Sequence, residues 1–363
     1  MAASPIREQK CPACGGAMRF DPKQGKLVCD YCGTTAELGK DGPKEAAQGT
    51  ELEGFDFDSL NDQAFDPNAE DLPVYNCESC GAEVITPPEQ AALTCPYCGN
   101  NIVLTDKISG KLRPDGVIPF KLTTEVLPES MKRFYKDKVL LPKDFFTESR
   151  MGKVTGVYVP FWVFSGRLTG ELNYNASRSH SYQKGDYVVT DTDHYHLRRG
   201  VSTEFSDLPV DASGRIDDAL MDSLEPFDMA EAVPFDMRYL AGFTADRFDQ
   251  AKDDISRRAE RRMRYTAESI ADREAGRGYE SAERTGGKLR ADIKAKYLLF
   301  PVYLFDISHG GKSYHFAVNG QSGKVVGSVP TDSGVSFSYF MRRAMLTLLA
   351  VLGVSAAVYF MGG

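Results

Sequence analysis

Two runs of nearly continuous apolar and aromatic residues, 154–164 (VTGVYVPFWVF) and 297–307 (YLLFPVYLFDI), stand out from the polar chain around them. Short runs rich in valine and aromatic residues predict buried strands. Residues 312–329 predict a hairpin whose turn is supplied by Asn319, Gly320, Gln321, Ser322 and Gly323, residue types that accept turn geometry. Those glycines stand between two strands and not ahead of a helix, so they read as turn residues and not as a phosphate cradle.

A different period runs through the polar segment that follows residue 247. Phe248, Ala251, Ile255, Ala259, Met263, Ala267 and Ile270 recur at three- and four-residue intervals, which gives one apolar stripe along a long helix. Shorter helices are predicted over 127–138 and 217–224. Strand pairs and helices that do not alternate as regular β-α-β units predict an α+β domain over residues 111–330, not a doubly wound parallel one.

The last apolar run has no polar face. Residues 344–361 (AMLTLLAVLGVSAAVYFM) carry no charge over eighteen positions, and at about 1.5 Å per residue such a helix nearly spans a ~30 Å hydrocarbon core. Phe340 and Met341 extend it, so 340–361 is expected to be a transmembrane helix in contact with the lipid bilayer. Arg342 and Arg343 precede the run and no charge follows it. The positive-inside bias then keeps the N-terminal bulk in the cytoplasm, at the inner membrane of the cell, as a single-pass tail anchor. The alternative is a terminal helix buried against the α+β domain.

Charge and cysteine usage narrow the function classes. A net charge of −8 over 363 residues argues against a protein that binds nucleic acid mainly by neutralising phosphates. Residues 41–74 hold ten carboxylates against the single Lys44 and read as an acidic flexible linker. No apolar signal-peptide core is expected before the first cysteines. All eight cysteines fall in C-x-x-C pairs before residue 99, a pattern that in a reducing compartment favours metal over disulfides.

Those pairs form two groups of identical spacing. Cys11 and Cys14 are separated by fourteen residues from Cys29 and Cys32, and Cys77 and Cys80 by fourteen from Cys95 and Cys98. Each group predicts a zinc ribbon, over 9–40 and 75–106, holding one structural Zn²⁺ and so two per chain. A ribbon of this size has too little core to fold alone, and metal binding supplies of order 10 kcal/mol or more in comparable peptides. Four thiolates leave no open coordination position for hydrolytic chemistry. A rubredoxin-like iron site uses the same ligand set, disulfides are the oxidised alternative, and thioredoxin-type activity lacks its β-α-β setting.

Ribbons serve many functions, so the module does not name one. The first, with Arg7, Lys10, Arg19, Lys23, Lys26 and Lys40 against four carboxylates in residues 1–40, is only mildly basic, and residues 75–106 hold no lysine or arginine. Protein contact is the expected use, with nucleic acid the alternative. Arg257, Arg258, Arg261, Arg262 and Arg264 could form an anion-binding patch, but Asp253 to Arg257, Asp254 to Arg258 and Glu260 to Arg264 have the i,i+4 spacing of a solvated helix face. His194 and His196 would share one face of a strand and could share a metal, though no third ligand is evident. No nucleophile elbow, P-loop, zinc-protease or dinucleotide motif is found, so neither an enzyme nor a small-molecule substrate is indicated.

The tandem ribbons, VYVPFWVF at 157–164, LPVDASGRIDDALMDSLEPFDMA at 208–230 and FAVNGQSGKVVGSVP at 316–330, ahead of a terminal hydrophobic helix, resemble a family of bacterial membrane proteins described as zinc-ribbon-containing. The resemblance spans nearly the whole chain. Members carry the labels transcription-factor-IIB-type ribbon protein or primosomal replication-restart helicase, labels that follow the ribbon alone. A helicase motor needs a P-loop that this chain lacks. The resemblance implies a bacterial source, the eight cysteines as metal ligands and no catalytic residues.

Overall fold

The two apolar runs are the inner ends of much longer strands. Beyond Phe164, buried residues recur on one face at Leu168, Leu172, Tyr174 and Ala176, the alternation of a strand with a single covered face. The strand spans Thr155–Lys184, 30 residues, and its counterpart spans Ser281–His309, 29 residues. Their outer halves are rich in Ser, Thr, Asn, Gly and charge, which hides them from a search for contiguous apolar runs.

The computed structural model describes residues 11–14, 16, 18–38, 55–56, 72–77, 79–85, 95–100, 103–108, 114–136, 138–142, 145–146, 152–250 and 252–361. Most of the expected acidic linker, 41–74, lies outside them. Strands β1 (Met18–Asp21), β2 (Lys26–Cys29) and β3 (Thr35–Ala36) form a small sheet of their own. The following strands are β4 (Phe55–Asp56), β5 (Leu72–Asn76), β6 (Glu83–Ile85), β7 (Val103–Ile108) and β8 (Gly116–Val117). Helix α1 (Leu127–Tyr135), strands β9 (Thr155–Lys184) and β10 (Tyr187–Asp211), helix α2 (Asp218–Leu224), and strands β11 (Val233–Pro234) and β12 (Thr244–Asp246) come next. Helix α3 (Lys252–Ala275), strands β13 (Ser281–His309), β14 (Lys312–Asn319) and β15 (Val325–Gly327), and helix α4 (Ser333–Met361) complete the order. The strands from β4 onward form one 12-stranded mixed sheet, so the class is α+β.

The spine of that sheet is a three-stranded ribbon. β9 pairs antiparallel with β10 through the two-residue turn between Lys184 and Tyr187, and with β13 from Pro301 back to Ser281. Gly185 has φ +65°, which the first position of such a turn requires. At roughly 3.3 Å per residue β9 has a contour of about 100 Å.

Helix α3 covers one face of the ribbon. Ile255, Ala259, Met263, Ala267, Ala271 and Ala275 are buried, whereas Ile270 is exposed, so the stripe departs from its predicted end. Positions four apart advance about 40° around a helix, so this ridge winds through about 200°. It stays covered because twisted strands turn with it. Its first half packs into the main core with Trp162 and Tyr297, and its second half with Leu168, Leu172, Tyr174, Val201 and Leu289 of the ribbon.

The arginines of α3 do not all face solvent as expected. Arg264 pairs with Glu260 at i,i+4 and Arg257 with Asp254 at i,i+3. Arg258 instead reaches Asp211 (2.8 Å), Asp218 (3.1 Å) and Asp222 (3.4 Å), and Arg262 reaches Glu225 (3.0 Å) and the Pro209 carbonyl (2.7 Å). These two arginines fasten α2 to α3, and Arg258 is the cation beside the wholly buried Asp211.

Asp211 is wholly buried, and its Oδ2 finds no hydrogen-bond partner among the described residues. Burial pushes its carboxyl up to about 7 against the pull of Arg258, a cation shared with Asp218 and Asp222. The folded chain therefore keeps a proton that an unfolded aspartate loses near pH ~3.9. Stability contributed by this group is greatest at the acid end and falls as pH rises from about 4 through about 7. Asp211→Asn, which keeps an acceptor for Arg258, should flatten the decline between pH 5.5 and 8, as read by urea unfolding of metal-saturated protein. An unchanged slope would refute the assignment.

His194 and His196 project from the outer, uncovered face of β10; both are exposed, and His196 Nδ1 lies 2.7 Å from Asn175 Oδ1. They meet no third metal-ligating residue among the described residues. Helix α4 starts earlier than its predicted 340. Its Asp332 cap accepts from the Val335 N–H at 2.9 Å, and the large apolar side chains Phe337, Phe340, Leu346, Leu349 and Leu352 are exposed. Among the described residues there is thus one helix long and apolar enough to cross a membrane, and its described side chains from 337 to 352 do not pack into the domain as a buried terminal helix would.

Candidate metal centres

Four turns of one design present the cysteines. In each, the N–H of the first cysteine donates to a carbonyl five residues on: Cys11 to Gly16, Cys29 to Thr34, Cys77 to Ala82 and Cys95 to Asn100, at 2.7–3.0 Å. In three of them a glycine N–H donates back to that cysteine's carbonyl, Gly33 to Cys29, Gly81 to Cys77 and Gly99 to Cys95. All three glycines have φ +73°, a left-handed conformation that costs a side-chain-bearing residue about 1 kcal/mol or more. This is why C-x-x-C is followed by glycine.

The turns bring the sulfurs into two groups, Cys11/Cys14/Cys29/Cys32 and Cys77/Cys80/Cys95/Cys98, each with its ligand atoms within 4.8 Å of one another. Cys11 and Cys32 are 3.4 Å apart and Cys14 and Cys29 3.5 Å, and the second group repeats these values at Cys77–Cys98 and Cys80–Cys95. A disulfide needs about 2.05 Å, whereas the edge of a tetrahedron with 2.3 Å metal–sulfur bonds is about 3.8 Å. Each group could hold a metal ion, and four sulfurs would complete a tetrahedral shell. In both groups the first cysteine of each turn is buried and the second exposed.

The thiols differ in how readily they ionise. The Thr34 hydroxyl and then its backbone N–H draw Cys32 down to about 6, and the Asn100 N–H draws Cys98 down to about 7. Burial pushes Cys95 up to about 12. A divalent cation replaces such protons, so loading releases them.

The two groups sit differently on the domain. The first lies against it through the face of its hairpin: the Phe20 N–H donates to the Ala241 carbonyl at 2.9 Å, and the Phe20 ring meets Tyr239 edge-on at 5.4 Å. The second is woven in. β5, β6 and β7 belong to the large sheet, and β6 pairs with β12, which itself pairs with β9. Arg215 donates to the Gly81 carbonyl at 3.0 Å, and Arg247 pairs with Glu83.

The sequence alone presents the second ribbon as a separate unit and gives no sign of the roles of Tyr97, Arg215 and Asp246. The only local signal is the parallel between Cys29-Asp30-Tyr31-Cys32 and Cys95-Pro96-Tyr97-Cys98. Tyr31 is 83% exposed, whereas the Tyr97 ring packs against both the ribbon's own core and the core of the domain. Its hydroxyl lies within electrostatic reach of the buried Asp246 carboxylate; burial and then that charge raise Tyr97 well above the usual phenol range.

The chain is 32% identical over 359 residues to the uncharacterized protein YdjG of Bacillus subtilis (strain 168), and the match covers 99% of each. It belongs to the YdjG family. No protein-family model matches the chain, and no solved structure matches it. The resemblance to ribbon proteins therefore rests on the two four-cysteine groups, and the family kinship extends over the whole chain, ribbons, sheet and terminal helix alike.

Proposed function

We propose that the chain is a zinc protein, anchored in a membrane by α4 with its N-terminal parts in the cytosol, that acts as a docking adaptor for another protein. The observation carrying this reading is the contrast between Tyr31 and Tyr97. The same turn position is plugged into the domain in the second ribbon and 83% exposed in the first. An exposed aromatic on a metal-rigidified turn is the type of anchor that interfaces use. Arg342 and Arg343 beside the apolar run support the orientation.

The nucleic-acid reading would use Arg19, Lys23 and Lys26. These are paired with Asp30, Glu125 and Glu37 respectively, which leaves no unpaired lysine or arginine among the described residues of that ribbon. The test is affinity purification of the detergent-solubilised full chain and of Tyr31→Ala, at low and high salt and after nuclease treatment. The adaptor reading expects a protein retained at high salt and after nuclease, and lost with Tyr31→Ala. Recovery of nucleic acid that is released steeply as salt rises and is indifferent to Tyr31 would replace it with the other reading.

A further inference from the structure

We propose that the second four-cysteine centre is a latch on the large domain: Tyr97 and Arg215 couple its metal to the packing around Asp246 and Trp162. The inference rests on metal loading of both groups. Both turns of the second centre grip one buried spot. From the turn Cys77–Gly81, the Gly81 carbonyl accepts from Arg215, whose other nitrogen reaches Asp249 (2.7 Å) and Asp246 (3.5 Å). From the turn Cys95–Gly99, Tyr97 packs its ring into the core of the domain and buries its hydroxyl, which has no hydrogen-bond partner among the described residues, within electrostatic reach of that same Asp246. Asp246 is 0% exposed and also accepts from Ser213 at 2.6 Å and from the Arg247 N–H at 3.0 Å.

From Asp246 the path into the core is short. β12 ends at Asp246 and runs between β6 of the ribbon and β9. Phe248, two residues on, meets Trp162 of β9 at 6.0 Å and Tyr297 of β13 at 5.5 Å. Trp162 is the one tryptophan in the chain and is 3% exposed, so its emission reports on this region alone. The first centre has no route of this kind through its turn tyrosine, which is 83% exposed; its Cys11 and Cys29 instead pack into the core cluster that holds Trp162.

Thermodynamic reciprocity fixes the consequence. If metal holds the turns that hold Asp246, then the contacts to Asp246 must tighten metal binding by the same factor. Groups that orient ligands without touching the metal are worth about 10- to 100-fold in affinity. Tyr97 and Arg215 are positioning residues in this sense.

The experiment uses the full chain in detergent micelles, loaded with zinc alone and titrated with a chelator while released metal and Trp162 emission are followed together. Cys29→Ser and Cys95→Ser assign the two release steps. The proposal expects Trp162 emission to change as the second centre empties. It expects Arg215→Lys and Tyr97→Ala to weaken that centre tenfold or more, with Tyr31→Ala leaving both centres within twofold. Emission that stays constant while the second centre empties in the unaltered chain overturns the coupling. So does unchanged affinity in both Arg215→Lys and Tyr97→Ala. Failure of the unaltered chain to bind two zinc ions would instead defeat the metal reading on which the coupling rests.

Discussion

Removing residues 333–363 is expected to transfer the protein from the membrane pellet to the soluble fraction without unfolding it. Helix α4 is 29 residues long, about 43 Å at 1.5 Å per residue. Its large described side chains, including Phe337, Met345, Leu348 and Val351, are exposed. Each would gain about 1.5–3 kcal/mol on leaving water, which sets the direction of the expected transfer. The described side chains from 337 to 352 are exposed, and just ahead of the helix the Asp332 N–H donates to the Leu140 carbonyl, so loss of those side chains opens no cavity in the core. Fractionation with alkaline washing checks this. A shortened chain that still sediments with membranes would show that some other surface holds it there.

Gly170→Ala is expected to be the most damaging single substitution in the ribbon. An added Cβ at Gly170 would lie 2.0 Å from the Lys288 carbonyl oxygen of β13, and one at Gly166 2.1 Å from that of Asp292. Both obstacles are backbone atoms locked in the β9–β13 ladder, so no side chain can swing aside. The strands must separate or bend, at a cost of about 3 kcal/mol or more by comparison with overpacked cores and strained backbone. Gly200 of β10 supplies the control, because a Cβ there meets nothing within 4 Å. Gly200→Ala should be neutral or raise stability by up to about 1 kcal/mol. Urea midpoints of the two variants measure the contrast, and equal midpoints would mean that the close β9–β13 approach does not hold in solution.

These glycines mark the limit of what the chain reveals before it is folded. The cysteine groups were legible because each turn is local and its chemistry shows in five residues. The inner ends of β9 and β13 were legible because both faces are buried there and the apolar residues run together. Their outer halves were not, since one covered face leaves alternate residues polar and the glycines required by close approach look like breaks. The α3 stripe was legible from Ile255 to Ala267; at its start Phe248 lies ahead of the helix and Ala251 outside the described residues, and beyond Ala267 the buried positions are the small Ala271 and Ala275, whose apolar signal is weaker than that of the exposed Ile270.

The relation between the ribbons and the domain was illegible for a different reason. Arg247 and Glu83 are 164 positions apart, and Arg215 and Gly81 are 134 apart. Nothing in composition or spacing announces such pairings, and two ribbons of identical spacing look equivalent. Only the fold separates the plugged Tyr97 from the exposed Tyr31. Likewise, the i,i+4 pattern on α3 correctly foretold Arg264 with Glu260 but not the reach of Arg258 to Asp211, Asp218 and Asp222, which lie on other elements.

Two metal-filled four-cysteine centres underlie every functional step proposed for this chain, and elemental analysis with a visible spectrum, on protein purified from membranes, tests them most directly. Two zinc ions per chain and no visible absorption, as a d¹⁰ ion requires, is the predicted result. Iron with visible absorption would make the chain an electron carrier, and fewer than two metals per chain would mean that at least one of the two groups does not hold an ion.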